Sequence, residues 1–139
     1  LKPIIFYISL ISCFFSAAQE ECFLGIGGQD DETIVAVFQL NDVQSEKLKN
    51  WGAELKIRNG ILKDQAKHLL NRHAQSSPED LMTMSYKYRD ILDSMKQNSR
   101  MLDLRLLAIF NDNQYNLYIE LCEQITLRPI YVDRSVDEK

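Results

Sequence analysis

The chain holds 139 residues, with 16 Lys+Arg against 20 Asp+Glu, a formal net charge of −4, and 45% hydrophobic residues. That is one domain's length, and its bases, seven against four acids in residues 42–74 between acidic ends, fall short of the concentrated basic patch that nucleic-acid binding needs.

Residues 1–18 read as a secretory signal peptide: Lys2 is a weak positive start, Ile4–Phe15 an apolar run, and Ser16-Ala17-Ala18 a small-residue cleavage site. The run is shorter than the ~20 residues a bilayer span requires, so export without a stable membrane span is expected. Leu10-Ile11-Ser12-Cys13 also has the look of a lipoprotein box. Cleavage there would leave an acylated Cys13 followed by Phe14-Phe15, where a tether is usually polar, so cleavage after Ala18 is preferred.

Residues 19–30 carry acids and glycines and are expected to form a flexible segment, with Gly25–Gly28 lacking the strand-glycine-helix setting of a phosphate loop. After loss of Cys13 only Cys22 and Cys122 remain, in an oxidising compartment. They either pair or stay apart, Cys122 then being a small buried hydrophobe. Asp31–Phe38 contains the β-branched run Thr33–Phe38. With no second strand to pair with, it reads as a short helix.

Leu40-Asn41-Asp42-Val43-Gln44 opens the first long helix. Asn41 caps with its side chain, and Gln44 reaches back to the Asn41 N–H, a capping box. Leu48, Trp51, Leu55, Leu62, Ala66 and Leu69 then recur at helical spacing to about Ala74. Gly52 and Gly60 each cost a helix about 1 kcal/mol against Ala. Gln75–Ser77 end this helix. Ser77, Pro78, Glu79 and Asp80 start the next, with Ser77 as cap and Pro78 in the first turn. That helix presents Leu81, Met84, Tyr88, Leu92, Met95, Leu102, Leu106 and Ile109, with a polar interruption at Lys96–Arg100. Two helices of similar length with a short link predict an antiparallel hairpin. Phe110-Asn111-Asp112-Asn113-Gln114 then repeats the first pentad. A shorter helix follows to about Thr126, before Pro129, and residues 127–139 form a tail.

No catalytic constellation is present: there is no Gly-x-Ser-x-Gly, HExxH or CxxC, and neither an enzyme nor a cofactor is expected. His68 and His73 point apart on one helix, so no metal site is expected. Trp51 reads either as a core or interface anchor or as an aromatic that touches a partner. Met82, Met84, Met95 and Met101 offer either adaptable binding surface or plain packing. Residues 42–74 hold seven bases against four acids, the one positive stretch of the chain.

The two pentads resemble the paired "LTxxQ" motifs of the Spy/CpxP family of small periplasmic proteins, with Asn41 and Asn111 in place of Thr and Phe110 in place of Leu. Asn keeps the capping role of Thr. The resemblance covers residues 31–126. It implies an all-α fold, a helical hairpin pairing into a cradle-shaped homodimer, and periplasmic residence. It further implies ATP-independent chaperone action in the envelope stress response, on unfolded proteins. Relatives also act as regulatory partners of membrane sensor kinases or as metal-responsive sensors. The expected partner or client surface comprises Trp51, Leu55, Arg58, Leu62, Met84 and Tyr88.

Overall fold

The computed structural model describes residues 19–134; the signal-peptide reading lies outside them. Among these residues the fold is all-α, in the order α1 (Asp31–Val37), α2 (Asp42–Arg72), α3 (Pro78–Ala108) and α4 (Asp112–Gln124). The Thr33–Phe38 run is helical, as its lack of a strand partner predicted. Both long helices span 31 residues. Both pentads form complete capping boxes, and Ser77 Oγ accepts from the Asp80 N–H at 3.3 Å, with Pro78 in the first turn.

The hairpin is zipped by side chains that recur every seventh residue. On α2, Leu48, Leu55, Leu62 and Leu69 form one row, and Gly52, Asn59, Ala66 and His73 form the other. On α3 the rows are Met84–Ile91–Asn98–Arg105 and Tyr88–Met95–Leu102–Ile109. A seven-residue period is the spacing of supercoiled antiparallel helices. The polar interruption in α3 has a structural reason, because Asn98 Nδ2 donates to Asn59 Oδ1 across the seam at 3.1 Å. Such a pair inside an apolar seam fixes register at some cost in stability.

The core sits at the open end of the hairpin, the base, where α1, α4 and both flanking segments pack on α2 and α3. Ile26, Leu48, Leu102, Leu106, Leu107, Tyr118 and Cys122 are nearly or fully closed off there. From Lys56 to Met101 no residue is fully buried. That stretch, the arm, is a two-helix layer which, among the described residues, other segments reach only at its inner end, near Lys56 and at Lys96–Arg100.

The segment before α1 differs from the flexible stretch its composition suggests. Cys22 and Cys122 form a disulfide, with Cα atoms 5.8 Å apart. Cys22 N donates to Arg128 O at 2.8 Å, and Arg128 N donates to Glu20 O at 2.9 Å, a short parallel bridge. Glu21 takes both Arg100 Nε and Nη2, at 2.8 and 2.9 Å. Asp103, with 0% exposure, accepts the N–H groups of Leu24 (2.8 Å), Gly25 (3.2 Å) and Ile26 (3.2 Å). Gly27 N donates to Asp31 Oδ1 at 2.9 Å. Gly27 has a φ of +81° and lies against Gly52, where an added Cβ would stand 3.2 Å from Asp31 Oδ2. Gly52 thus holds its place through close approach, whereas a Cβ on Gly60 would meet open space.

The tail is also held as far as Arg134. Tyr118 Oη donates to Cys22 O at 2.7 Å and accepts from Ile130 N at 2.9 Å, tying both flanking segments to α4. Tyr115 Oη donates to Ile130 O at 2.9 Å. Arg134 lies over the Tyr115 ring, 4.4 Å from its centroid, and donates to Phe110 O and Asn111 O at 3.1 and 3.0 Å.

Candidate functional site

The repeated pentads come together. Each Gln side chain accepts the N–H of its own cap residue through Oε1: Asn41 N to Gln44 at 3.0 Å, and Asn111 N to Gln114 at 2.9 Å. The amide nitrogens then cross over. Gln44 Nε2 donates to Ile109 O at 2.9 Å and to Gln114 Oε1 at 2.8 Å. Gln114 Nε2 donates to Phe38 O and to Gln44 Oε1, both at 3.0 Å. Both glutamines are 6% exposed.

A carboxamide carries donors and an acceptor, so two of them complement each other. Two carboxylates in the same place would have no donors and would repel. Leu40 and Phe110, the apolar residues that open the pentads, are buried in the same cluster, with Phe38 and Phe110 rings 4.9 Å apart. The pentads therefore form one junction joining the starts of α2 and α4. Sequence reasoning assigns each Gln to its own helix and misses the pairing between them. The repetition of a residue with both donor and acceptor is the one signal that points to it.

The expected partner surface divides. Leu55 is 7% exposed and belongs to the core, so it is not a contact residue; its seventh-residue row turns inward onto α3 and Gly27. Trp51 is half-buried and packs against the core, in keeping with an anchor. Arg58 is exposed but held by Glu54, whose Oε1 accepts its Nε at 2.8 Å. Arg105 takes the other oxygen of Glu54 at 2.8 Å, and the hydrogen bond from Arg105 chiefly holds the Glu54 carboxyl below the usual carboxylate range. Leu62, Met84 and Tyr88 are half-buried in the seam.

Other residues of the arm carry its apolar surface. Ile57 is 67% exposed, Met82 60% and Ile61 57%, and Leu70, Leu81, Tyr86 and Leu92 are also exposed. Ile57 and Ile61 lie one turn apart on α2, away from the Leu55–Leu62 row. Periodicity favoured the regular rows, and in a two-helix layer these are the rows that meet each other. The off-row residues are left to solvent. At the base, Phe23, Val37 and Ile125 add a smaller exposed apolar set beside the cleft between α1 and α4.

Among the described residues no group of three or more His, Cys, Asp or Glu side chains is placed to hold a metal ion. His73 Nδ1 lies 3.1 Å from Ser76 Oγ, and His68 lines a shallow surface cleft with Gln65, Leu69 and Arg72. No described helix is long and apolar enough to cross a membrane.

The charge is sorted along the length of the molecule. Residues 56–101 carry nine bases against five acids, whereas residues 19–55 and 102–134 together carry five bases against thirteen acids. The arm is positive and the base negative. What the arm offers chemically is an open surface of aliphatic and thioether groups among charges, suited to shallow, reversible contact with a chain rather than to enclosure of a small molecule. No family model, no curated protein and no solved structure matches this chain.

Proposed function

We propose that the protein is an exported, Spy/CpxP-like holding chaperone of the envelope stress response, working as a homodimer and binding unfolding proteins on its arm without ATP. The observation that carries this reading is the uncovered arm, where Ile57, Ile61, Leu70, Leu81, Met82, Tyr86 and Leu92 stay exposed among charges. Monomeric proteins seldom leave such a set open without a use for it. The junction of two Asn-Asp-x-Gln pentads supports the family resemblance, because it gives the repeated motif one shared structural task. The Cys22–Cys122 pairing supports residence in an oxidising compartment.

Light scattering of a reduced, aggregating client tests the reading. Stoichiometric protein suppresses aggregation, and the paired substitution Ile57→Ser with Ile61→Ser weakens suppression without changing helix content. High salt weakens it too, by screening the mixed charges. Absence of suppression at every ratio refutes the holding activity. Capture of one membrane protein by a photo-crosslinker at position 57 would then assign the surface to a regulatory contact with a sensor kinase. Sedimentation that gives monomer alone at micromolar concentration removes the dimer.

A further inference from the structure

The arm's charge is sorted across its two faces as well as along its length. The base is covered on one face by residues 22–31, which Gly52 of α2 and Asp103 of α3 both touch. Helical spacing carries this face up the arm through Lys56, Lys63, Lys67 and Leu70 on α2, and through Met82, Arg89, Leu92 and Lys96 on α3. Lys96 confirms the side, since its Nζ stands 5.9 Å from the Phe23 ring centroid. Along the arm, α2 places no carboxylate on this face, while Asp93 stands at its α3 edge beside Lys96; toward the base, Asp31 and Glu32 adjoin Lys56, and Glu21 adjoins Lys96. The arm's other acids (Asp64, Glu79, Asp80 and Asp90) occupy the outer edge, the opposite face and the first turn of α3.

The bases there also form no ion pair among the described residues, although Arg89 lies over the Tyr86 ring. Arg58, Arg100, Arg105, Arg128 and Arg134 each hold a carboxylate partner, whereas Lys56, Lys63, Lys67, Arg89 and Lys96 have no ion pair among the described residues. The three α2 lysines are exposed and spread over about 17 Å of helix, at ~1.5 Å per residue.

We infer that this face docks on an anionic lipid surface. The charges form a row and converge on no pocket, so they match a sheet of separate negative headgroups better than a single bound anion. Leu70, Met82 and Leu92 stand between the bases, an arrangement in which lysine stems lie along an apolar layer and their ammonium groups stay in water. Among the described residues there is no strand edge for an extended peptide to extend. The acidic base is repelled by the same surface, so the molecule approaches arm first.

Co-sedimentation of the full chain with vesicles tests this. One set contains equal parts phosphatidylglycerol and phosphatidylcholine, the other phosphatidylcholine alone. Any contribution of the apolar run at residues 4–15 is common to both sets, so the readout is the salt-sensitive difference between them. The expected result is binding to the anionic set at least ten-fold tighter, lost in high salt. The triple change Lys56→Glu, Lys63→Glu, Lys67→Glu abolishes this preference while helix content is kept. A control triple of equal charge change on other faces (Arg58→Glu, Arg72→Glu, Lys87→Glu) retains most of it. Equal binding to both vesicle sets, or equal loss in both triples, overturns the inference. So does absent vesicle binding with retention on immobilised polyglutamate, which would assign the face to acidic polypeptide. None of these results bears on client holding, which is read at Ile57 and Ile61.

Discussion

Replacing Gln114 with Ala removes the centre of the pentad junction, and its cost follows from the bonds it breaks. Gln114 Oε1 accepts from Asn111 N and from Gln44 Nε2, and Gln114 Nε2 donates to Phe38 O and Gln44 Oε1. A buried hydrogen bond contributes about 1 kcal/mol net, and a buried partner left unmatched costs about 1–3 kcal/mol. Gln44 keeps its bonds to Asn41 N and Ile109 O, so the loss falls mainly on Phe38 O and the α4 cap. The expected destabilisation is about 3 kcal/mol. Urea unfolding followed by circular dichroism measures it as a lowered midpoint with unchanged slope. Because the two glutamines share a bond pair, Gln44→Ala with Gln114→Ala should cost about 1–2 kcal/mol less than the sum of the singles. Gln114→Glu adds a second sign: a carboxylate there faces Phe38 O and Gln44 Oε1, so its folded pKa rises. Its stability deficit should shrink as pH falls toward about 4, the unperturbed range of a glutamate. Strict additivity of the two alanine changes, or a single-variant cost below about 1 kcal/mol, would refute the shared junction.

Leu55→Ala should cost about 2–5 kcal/mol and Ile57→Ala less than about 0.5 kcal/mol by the same urea assay, because the first opens a core cavity and the second changes exposed surface. Breaking the Cys22–Cys122 bond by Cys122→Ser should cost about 2–5 kcal/mol, since the bond closes a loop across a sequence separation of 100; a melting temperature unmoved by reductant would contradict it. Burial pushes the Asp103 carboxyl up, ahead of the opposing hydrogen bonds from Ile26, Gly25 and Leu24. A raised folded pKa contributes stability that is full below the unfolded value, about 4, and declines as pH rises through the folded value. Asp103→Asn should flatten that slope in a series of melts against pH, and an unchanged slope would count against it. Glu21 runs the other way. The hydrogen bond from Arg100 chiefly lowers its pKa, so its contribution is present above about 4.5 and is lost as pH falls through the depressed folded value.

Much of the backbone plan was legible because it is written in local chemistry. Asn41, Ser77 and Asn111 announce helix starts through side chains that reach only three residues, and two helices of similar length with a short link announce the hairpin. What stayed hidden depends on distant partners. Nothing around Leu24–Ile26 signals that three backbone N–H groups will meet one carboxylate at Asp103, because backbone donors carry no side-chain signature. The acidic, glycine-rich composition therefore pointed to a flexible stretch where the fold has a fixed one. The partner surface was misjudged at Leu55 for a related reason. Periodicity identifies a stripe, but only the second helix decides whether the stripe is covered, and here α3 and Gly27 cover it. Ile57 and Ile61 fall outside the stripe and so remain in solvent.

The two ends of the described chain meet at the base, where the disulfide, the Glu21–Arg128 bridge and the two tyrosine hydroxyls hold them. The turn at the other end of the hairpin has no comparable fastening. Local unfolding therefore begins in the helical turns beside the link and moves toward the base, each step releasing a few seam side chains while the fastened end stays packed. From the tip inward, Met84 comes first, then Tyr88 with Leu69, then Leu62. Warming short of global unfolding should thus lengthen the frayed portion and add apolar contact area in small increments. Such fraying would make the response to temperature graded, set by how far along the hairpin it has advanced.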